Sequence, residues 1–223
     1  MAWKIVIFSL AAMLLLATQA QAATTWTDWT SATLSTGSSG SATGTVGGVG
    51  VSYSGQLVGA VTNGTSNIWS PNSSFIGGTS TASPSVVNDD LRLNGIGFAG
   101  PNTITFGSAV DNPLIAIWSL GAPGTPATFT FNATPTLEAG GPNSQFGGSS
   151  ITVNGNVVSG QEGNGVVQFT GTFSSISWTD TPENFYAFTV GVNGPLSTVP
   201  EPTSLVLLAS GLTGLVFYRR NRS

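Results

Sequence analysis

Between Ala23 and Thr198 apolar residues recur at a spacing of two, and nowhere at helical spacing with caps. Val49-Gly50-Val51-Ser52-Tyr53, Leu91-Arg92-Leu93, Ile104-Thr105-Phe106, Phe129-Thr130-Phe131, Ile151-Thr152-Val153 and Ile176-Ser177-Trp178 all alternate. Successive side chains of a strand point to opposite faces, so each of these segments offers one apolar face. Leu114-Ile115-Ala116-Ile117-Trp118 is apolar without interruption, which suits a strand buried on both faces. Turn signals separate the runs: Asn63-Gly64, Asn94-Gly95, Asn154-Gly155, Asn164-Gly165 and Asn193-Gly194. Asn154-Gly155, flanked by Ile151-Thr152-Val153 and Asn156-Val157-Val158, predicts a type I′ hairpin. A half-apolar sheet must cover its apolar face with another layer. The sequence therefore predicts an all-β domain over 23–198, an antiparallel, jelly-roll-like β-sandwich. Its length, about 176 residues, is ordinary for one domain with a sizeable core. The Ser/Gly/Thr-rich stretch from Ser31 to Gly48 is read as mostly ordered, because Trp26, Trp29 and Leu34 need burial.

The two ends follow other rules. Lys4 supplies a positive n-region, Ile5 to Ala17 an apolar h-region, and Ala20-Gln21-Ala22 the small-x-small pattern of a secretory signal peptide over 1–22, cleaved before Ala23. At the other end come Val199-Pro200-Glu201-Pro202, an apolar segment over 203–218 and Arg219-Arg220-Asn221-Arg222-Ser223. Each prolyl ring fixes φ near −65° and removes a donor, so Pro200 and Pro202 hold Glu201 extended and out of helix or sheet. The apolar segment would span roughly 24 Å as a helix, a little short of a hydrocarbon core of about 30 Å. Arg219, Arg220 and Arg222 fix its far end on the cytoplasmic side. The sandwich is thus expected between an N-terminal signal helix and a C-terminal transmembrane helix.

The tail over 199–223 resembles the PEP-CTERM sorting signal of exported bacterial proteins, with its three parts in the family's order and spacing. The resemblance implies export through the secretory translocon and transient anchoring in the inner membrane. It further implies recognition at Pro200-Glu201-Pro202 by an exosortase, a membrane transpeptidase, and removal of the hydrophobic segment. A globular domain that recurs upstream of such tails is resembled at several places. These are Trp26-Thr27-Asp28-Trp29 with Val51-Ser52-Tyr53-Ser54-Gly55, and Thr103-Ile104-Thr105-Phe106 through Val110-Asp111-Asn112-Pro113 to Trp118-Ser119-Leu120-Gly121. Glu183-Asn184-Phe185 leading to Phe188-Thr189-Val190-Gly191 completes the likeness. That family brings a fold expectation and no settled activity.

Charge narrows the function. Once the signal and tail are set aside, Arg92 is the only basic residue, against Asp28, Asp89, Asp90, Asp111, Glu138, Glu162, Asp180 and Glu183. Such a surface cannot neutralise phosphates, which argues against nucleic acid. The chain has no cysteine and no histidine. Those absences remove disulfides, thiolate chemistry, Ser-His-Asp and Cys-His catalysis and nearly every zinc site.

Several motifs are weighed against plainer readings. Gly95-Ile96-Gly97-Phe98-Ala99-Gly100 has dinucleotide-loop spacing, but Pro101 and a strand pattern follow where a helix is required, so it is a glycine-rich loop. Asn88-Asp89-Asp90 with Asp111 is the best candidate for a metal: adjacent aspartates and loop carbonyls suit calcium, although the DxDxDG spacing is absent. Otherwise Arg92 pairs with one aspartate in a solvated loop. A glycosidase pair would have to come from Asp89, Asp90, Asp111, Glu138 and Glu183 meeting in space. Trp118 and Trp178 sit in strand patterns and are read as core. Trp26, Trp29 and Trp69 have polar neighbours and are the candidates for stacking on glycan. Thr-x-Thr recurs at Thr103 to Thr105, Thr128 to Thr130, Thr170 to Thr172 and Thr179 to Thr181. PEP-CTERM tails have been labelled with ice-binding proteins, but this spacing is irregular and without a solenoid repeat, so β-propensity suffices to explain it.

The sequence reading is a non-enzymatic β-sandwich with no cofactor unless calcium binds. It is delivered to the cell envelope, surface or extracellular matrix, with a structural or adhesive role within an exopolysaccharide layer. A carbohydrate-binding module is the second reading and a cryptic glycoside hydrolase the third.

Overall fold

The structure, a computed structural model, describes residues 23–35, 39–64, 67–87 and 89–194. The signal segment, the sorting motif Val199, Pro200, Glu201 and Pro202, the transmembrane segment and the arginines 219, 220 and 222 lie outside the described residues, as does Asn88. Among the described residues there is no α-helix, only short 3-10 turns at Asn72–Ser74 and Pro84–Val86.

The described residues hold sixteen strands in chain order: β1 (Thr24–Trp26), β2 (Asp28–Thr33), β3 (Gly40–Val46), β4 (Val49–Gly55), β5 (Gly59–Val61), β6 (Asp90–Leu93), β7 (Asn102–Asp111) and β8 (Leu114–Leu120). Then come β9 (Ala127–Phe131), β10 (Thr136–Gly140), β11 (Ser149–Ser150), β12 (Thr152–Asn154), β13 (Val157–Gly160), β14 (Gly163–Gln168), β15 (Thr172–Asp180) and β16 (Tyr186–Asn193). They form two eight-stranded sheets. The first has the order β10-β14-β8-β16-β6-β5, with β1 also against β16 and β11 against β14; the second runs β12-β13-β9-β15-β7-β4-β3-β2. Every pairing is antiparallel except the short β11–β14 contact.

The alternating segments of the second sheet turn one side chain in two toward the first sheet. Trp29, Val51, Tyr53, Ile104, Phe106, Phe129, Phe131, Ile176 and Trp178 meet Leu91, Leu93, Ile115, Ile117, Val167, Phe188 and Val190 in the main core. Each fully buried side chain of this size contributes about 1.5–3 kcal/mol, and rings such as Trp178 and Phe188, at 5.0 Å and nearly perpendicular, add edge-to-face contact. Every residue of β8 is buried, as the uninterrupted apolar run requires. Ile115 and Ile117 point into the main core, whereas Leu114, Ala116 and Trp118 point the other way into a second apolar cluster with Trp26, Ile68, Trp69, Phe75, Ala139, Val166 and Ala187.

The turn signals divide. Asn154-Gly155 does make a hairpin, with Asn154 opposite Val157, but the central pair is Gly155-Asn156 and only Gly155 has positive φ (60°). That is the II′ pattern, which places glycine first, rather than the expected I′. Asn63-Gly64 and Asn94-Gly95 turn with Gly64 and Gly95 in left-handed backbone. Asn164-Gly165 does not turn: it lies inside β14, with the Asn164 side chain fully buried and hydrogen-bonded. At the end of β16, Gly194 donates to the Ala23 carbonyl and Thr24 pairs with Asn193. The N-terminus expected after signal cleavage therefore lies beside the strand that leads to the sorting tail. Within 31–48 the described residues supply the end of β2 and all of β3, which pair antiparallel, though Leu34 is exposed rather than buried.

Candidate functional site

The three tryptophans read as surface residues are interior. Trp26 packs over Gly191 and donates its indole N–H to the Ala82 carbonyl at 2.7 Å. Trp29 is wholly buried in the main core, its Nε1 reaching Thr189 Oγ1 at 3.2 Å. Trp69 is also wholly buried; it stands edge-on to Phe75 and donates to the Asp89 carbonyl. None offers a face for a sugar. Their polar neighbours in sequence mislead, because most of the apolar partners come from distant strands.

The aspartates are structural anchors. Asp89 is buried and accepts the Trp29 N–H through Oδ2 (2.8 Å) and the Gly64 N–H through Oδ1 (3.2 Å), while burial raises its pKa. Asp90 is buried and bound by Arg92 Nε at 2.6 Å. Asp111 is exposed at the end of β7 and accepts the Thr172 hydroxyl. No group of three or more acidic, His or Cys side chains able to hold a metal occurs among the described residues, so Asp89, Asp90 and Asp111 do not converge on a calcium site. Glu138 accepts the Thr79 N–H and hydroxyl. The Gly95 loop is pinned by Gln56, whose Oε1 accepts the Asn94 and Gly95 N–H groups and whose Nε2 donates to the Ile96 carbonyl. A strand follows it, so its glycines serve a turn.

Two surfaces remain with chemistry to offer. The outer face of the second sheet is paved with hydroxyls in register. Ser31, Thr43, Ser52, Thr105 and Ser175 lie opposite one another across β2, β3, β4, β7 and β15. Thr33, Ser41, Ser54, Thr103 and Ser177 form a second rung across the same strands. Neighbouring strands are about 4.8 Å apart, so each rung is a continuous row of donors and acceptors. Ser31 and Thr43 are bonded at 2.8 Å, and on the far side Thr152 and Ser159 at 2.9 Å. The second rung ends in a shallow depression of about 190 Å³ whose lining includes Pro101, Thr130, Asn132, Ser177 and Thr179. Neither rung carries a charge. Sequence spacing missed these rows because they are built across strands rather than along them.

The other surface is a corner at the C-terminal end of β8. Trp118, 2% exposed, lies beneath Phe146 and Phe185, with ring centroids 5.5 and 5.7 Å away, and those two rings are 51% and 37% exposed. Ser119 and Glu162 both adopt left-handed backbone, φ 57° and 53°, a conformation that side chains other than Asn and Asp seldom take. The Ser119 hydroxyl donates to Glu162 Oε2. Two carboxamides hold this arrangement. Asn164 Oδ1 accepts from the Ser119 N–H (2.9 Å) and from Asn143 Nδ2 (3.1 Å), and Asn164 Nδ2 donates to the Glu162 carbonyl (2.8 Å). Asn143 Oδ1 in turn accepts the N–H groups of Gln145 and Phe146. Glu183 completes the corner. Burial, and then the neighbouring Glu162 charge, push its pKa up to about 7, although the Gly121, Asn184 and Phe185 N–H groups pull the other way.

Of the carboxylates weighed as an acid pair, Glu183 thus faces Glu162, which sequence reasoning had not paired with it. The signal available was the pair of segments Trp118-Ser119-Leu120-Gly121 and Glu183-Asn184-Phe185, 62 positions apart counting Gly121 to Glu183, which meet here. Nothing in the sequence pointed to Phe146. No curated protein and no solved structure matches the chain. Residues 198–222 match the family model described as the PEP-CTERM protein-sorting motif, and the chain therefore carries the tail of an exported protein that an exosortase, itself a membrane protein, processes on the way to the cell envelope.

Proposed function

We propose that the domain is a non-enzymatic structural or adhesive component of an exopolysaccharide layer, lying against neutral polysaccharide through the outer face of its second sheet. The observation that carries this reading is the pair of uncharged hydroxyl rungs, each five strands wide. A glycan chain presents hydroxyls that donate and accept in rows, and a rung of Ser and Thr can exchange its water for them. Each such hydrogen bond is worth only about 0.5–1.5 kcal/mol net, so retention depends on many at once. With Arg92 the sole cation against eight carboxylates, the domain repels anionic polymers and favours uncharged ones. The membrane segment holds the chain at the inner membrane only until the motif at Pro200-Glu201-Pro202 is processed.

The processed chain, run through gels containing neutral polysaccharide, is expected to be retarded to the same extent at low and high salt. Retardation only by a charged polymer, abolished by salt, would overturn the reading. Delivery is checked separately. Glu201→Ala should leave the tail attached and the protein in the inner membrane, and normal maturation of that variant would remove the motif from the mechanism.

A further inference from the structure

We propose that the corner at the end of β8 binds a single neutral sugar residue, with Phe146 and Phe185 as its apolar platform and the Trp118 indole N–H and the Glu183 carboxyl as its polar contacts. This site lies apart from the hydroxyl rungs and does not rest on the reading given to them.

Two orphaned polar atoms point to the ligand. Trp118 Nε1 and Glu183 Oε2 are both buried and both without a hydrogen-bond partner in the chain. A buried donor left unpaired costs about 1–3 kcal/mol, and few native groups stay so. The indole can only donate, whereas a carboxylate oxygen accepts. A ligand that satisfies both must therefore accept at one point and donate at another. Sugar hydroxyls do both. The C–H face of a pyranose is apolar and flat, and it can stack on one of the two exposed phenyl rings above Trp118 while the other borders it, since their centroids are 6.4 Å apart and their planes stand at 75° to each other. An organic cation would satisfy the carboxyl and leave the indole N–H unpaired.

The geometry is set in advance. Asn143 and Asn164 tie the Phe146 turn to Ser119 and Glu162, and the bridge between Asn143 and Gly147 closes that turn at 2.6 and 3.1 Å. Gly147 and Gly148 follow with φ 74° and 72°, and a Cβ at Gly148 would collide with the Glu162 carbonyl, so the turn sits close against the chain entering β14. From this fixed base the Phe146 ring packs against the Trp118 ring. Ser119 and Glu162 are positioning residues: the strained pair keeps the end of β8 turned toward the corner.

The test is nitrogen-15 NMR of the processed chain, following the Trp118 indole resonance during titration with the methyl glycosides of glucose, galactose, mannose and N-acetylglucosamine. At least one glycoside should shift that resonance saturably. Phe146→Ala, a change at a half-exposed ring, should weaken binding about tenfold with the unfolding midpoint unchanged. Trp118→Phe, which keeps an aromatic ring and removes the donor, should weaken it as well, read from the backbone amide resonances of Phe146 and Phe185 because the indole signal is gone. Thr43→Val on the other sheet should leave the titration as it was, and Phe146→Ala should leave retardation in polysaccharide gels as it was. The proposal is overturned if no glycoside moves the resonance, if Phe146→Ala binds as tightly as the parent, or if tetramethylammonium shifts it and sugars do not.

Discussion

The two sheets share one core but treat their outer faces in opposite ways. The first is roofed. Residues 67–87 fold over it, bringing Ile68, Trp69 and Phe75 onto Leu114, Ala116, Trp118, Val166 and Ala187. Polar ties fasten the roof: Trp26 donates to Ala82, Thr24 and Thr81 exchange N–H to hydroxyl bonds at 2.7 and 2.8 Å, and Asp89 accepts from Trp29 and Gly64. The second sheet is bare, and its outward positions are mostly Ser and Thr. The difference is decided in the strands themselves. Where a strand is apolar at both parities, as in β8, its outer face must be covered. Where it alternates, as in β4 and β7, water covers it without cost.

The sharpest way to break this comparison is Trp69→Ala. Loss of a wholly buried indole from the roof should cost about 3–5 kcal/mol in denaturant unfolding, and amide exchange over 67–87 should accelerate more than in the second sheet. A loss under about 1 kcal/mol would mean that the roof is a loose covering and not a second core. Asp89→Ala should come next, at about 1–3 kcal/mol, because two N–H groups lose their acceptor and one of them lies in the core.

These same contacts explain what the sequence disclosed. Strand alternation and the β8 run follow from local periodicity, so the all-β class and the doubly buried strand were legible. The roof was not. Trp69 and Trp26 stand among Ser, Thr, Asn and Pro, and apart from Ile68 and Phe75 beside Trp69, what buries them lies tens to more than a hundred residues away. Asn164-Gly165 misleads for the same reason: an Asn-Gly pair signals a turn unless tertiary partners saturate the carboxamide, as Ser119, Asn143 and Glu162 do. The corner gathers residues from four stretches of chain, and the hydroxyl rungs need the strand order before they exist at all.

The corner lies at the margin of the roofed sheet and gives a smaller, pH-dependent prediction. The ordinary pKa of Glu183 is 4.5 and its folded value about 7. The unfolded chain releases its proton first, so between these values the folded state holds more protons and stability falls as pH rises. Glu183→Gln should remove that fall. Above pH 7 the variant should be more stable than the parent by on the order of 1–2 kcal/mol, a figure reduced for a group that water partly reaches. Below the ordinary value the two should coincide. Thermal unfolding across pH 4 to 8 checks this, and parallel curves would mean that burial does not hold the Glu183 carboxyl above its ordinary pKa in the folded protein.

The smallest effect on stability is expected on the bare sheet, and it bears most directly on function. Thr43 and Thr105 are exposed and sit in the same rung on β3 and β7, with Ser52 of β4 between them. Replacing both by Val keeps the β-branched shape that strands favour and removes only hydroxyls. The Ser31 contact to Thr43 is lost, but it is exposed and water replaces it. The double variant should therefore unfold within about 0.5 kcal/mol of the parent. Retardation in neutral polysaccharide gels should nevertheless drop, because the rung is interrupted at two of its five positions. The two measurements separate the alternatives. A large loss of stability would make the hydroxyl rows part of the sheet's own scaffold. Unchanged stability with unchanged retardation would move the glycan contact off this face, and the bare sheet would then be a solvated surface whose hydroxyls keep the protein soluble.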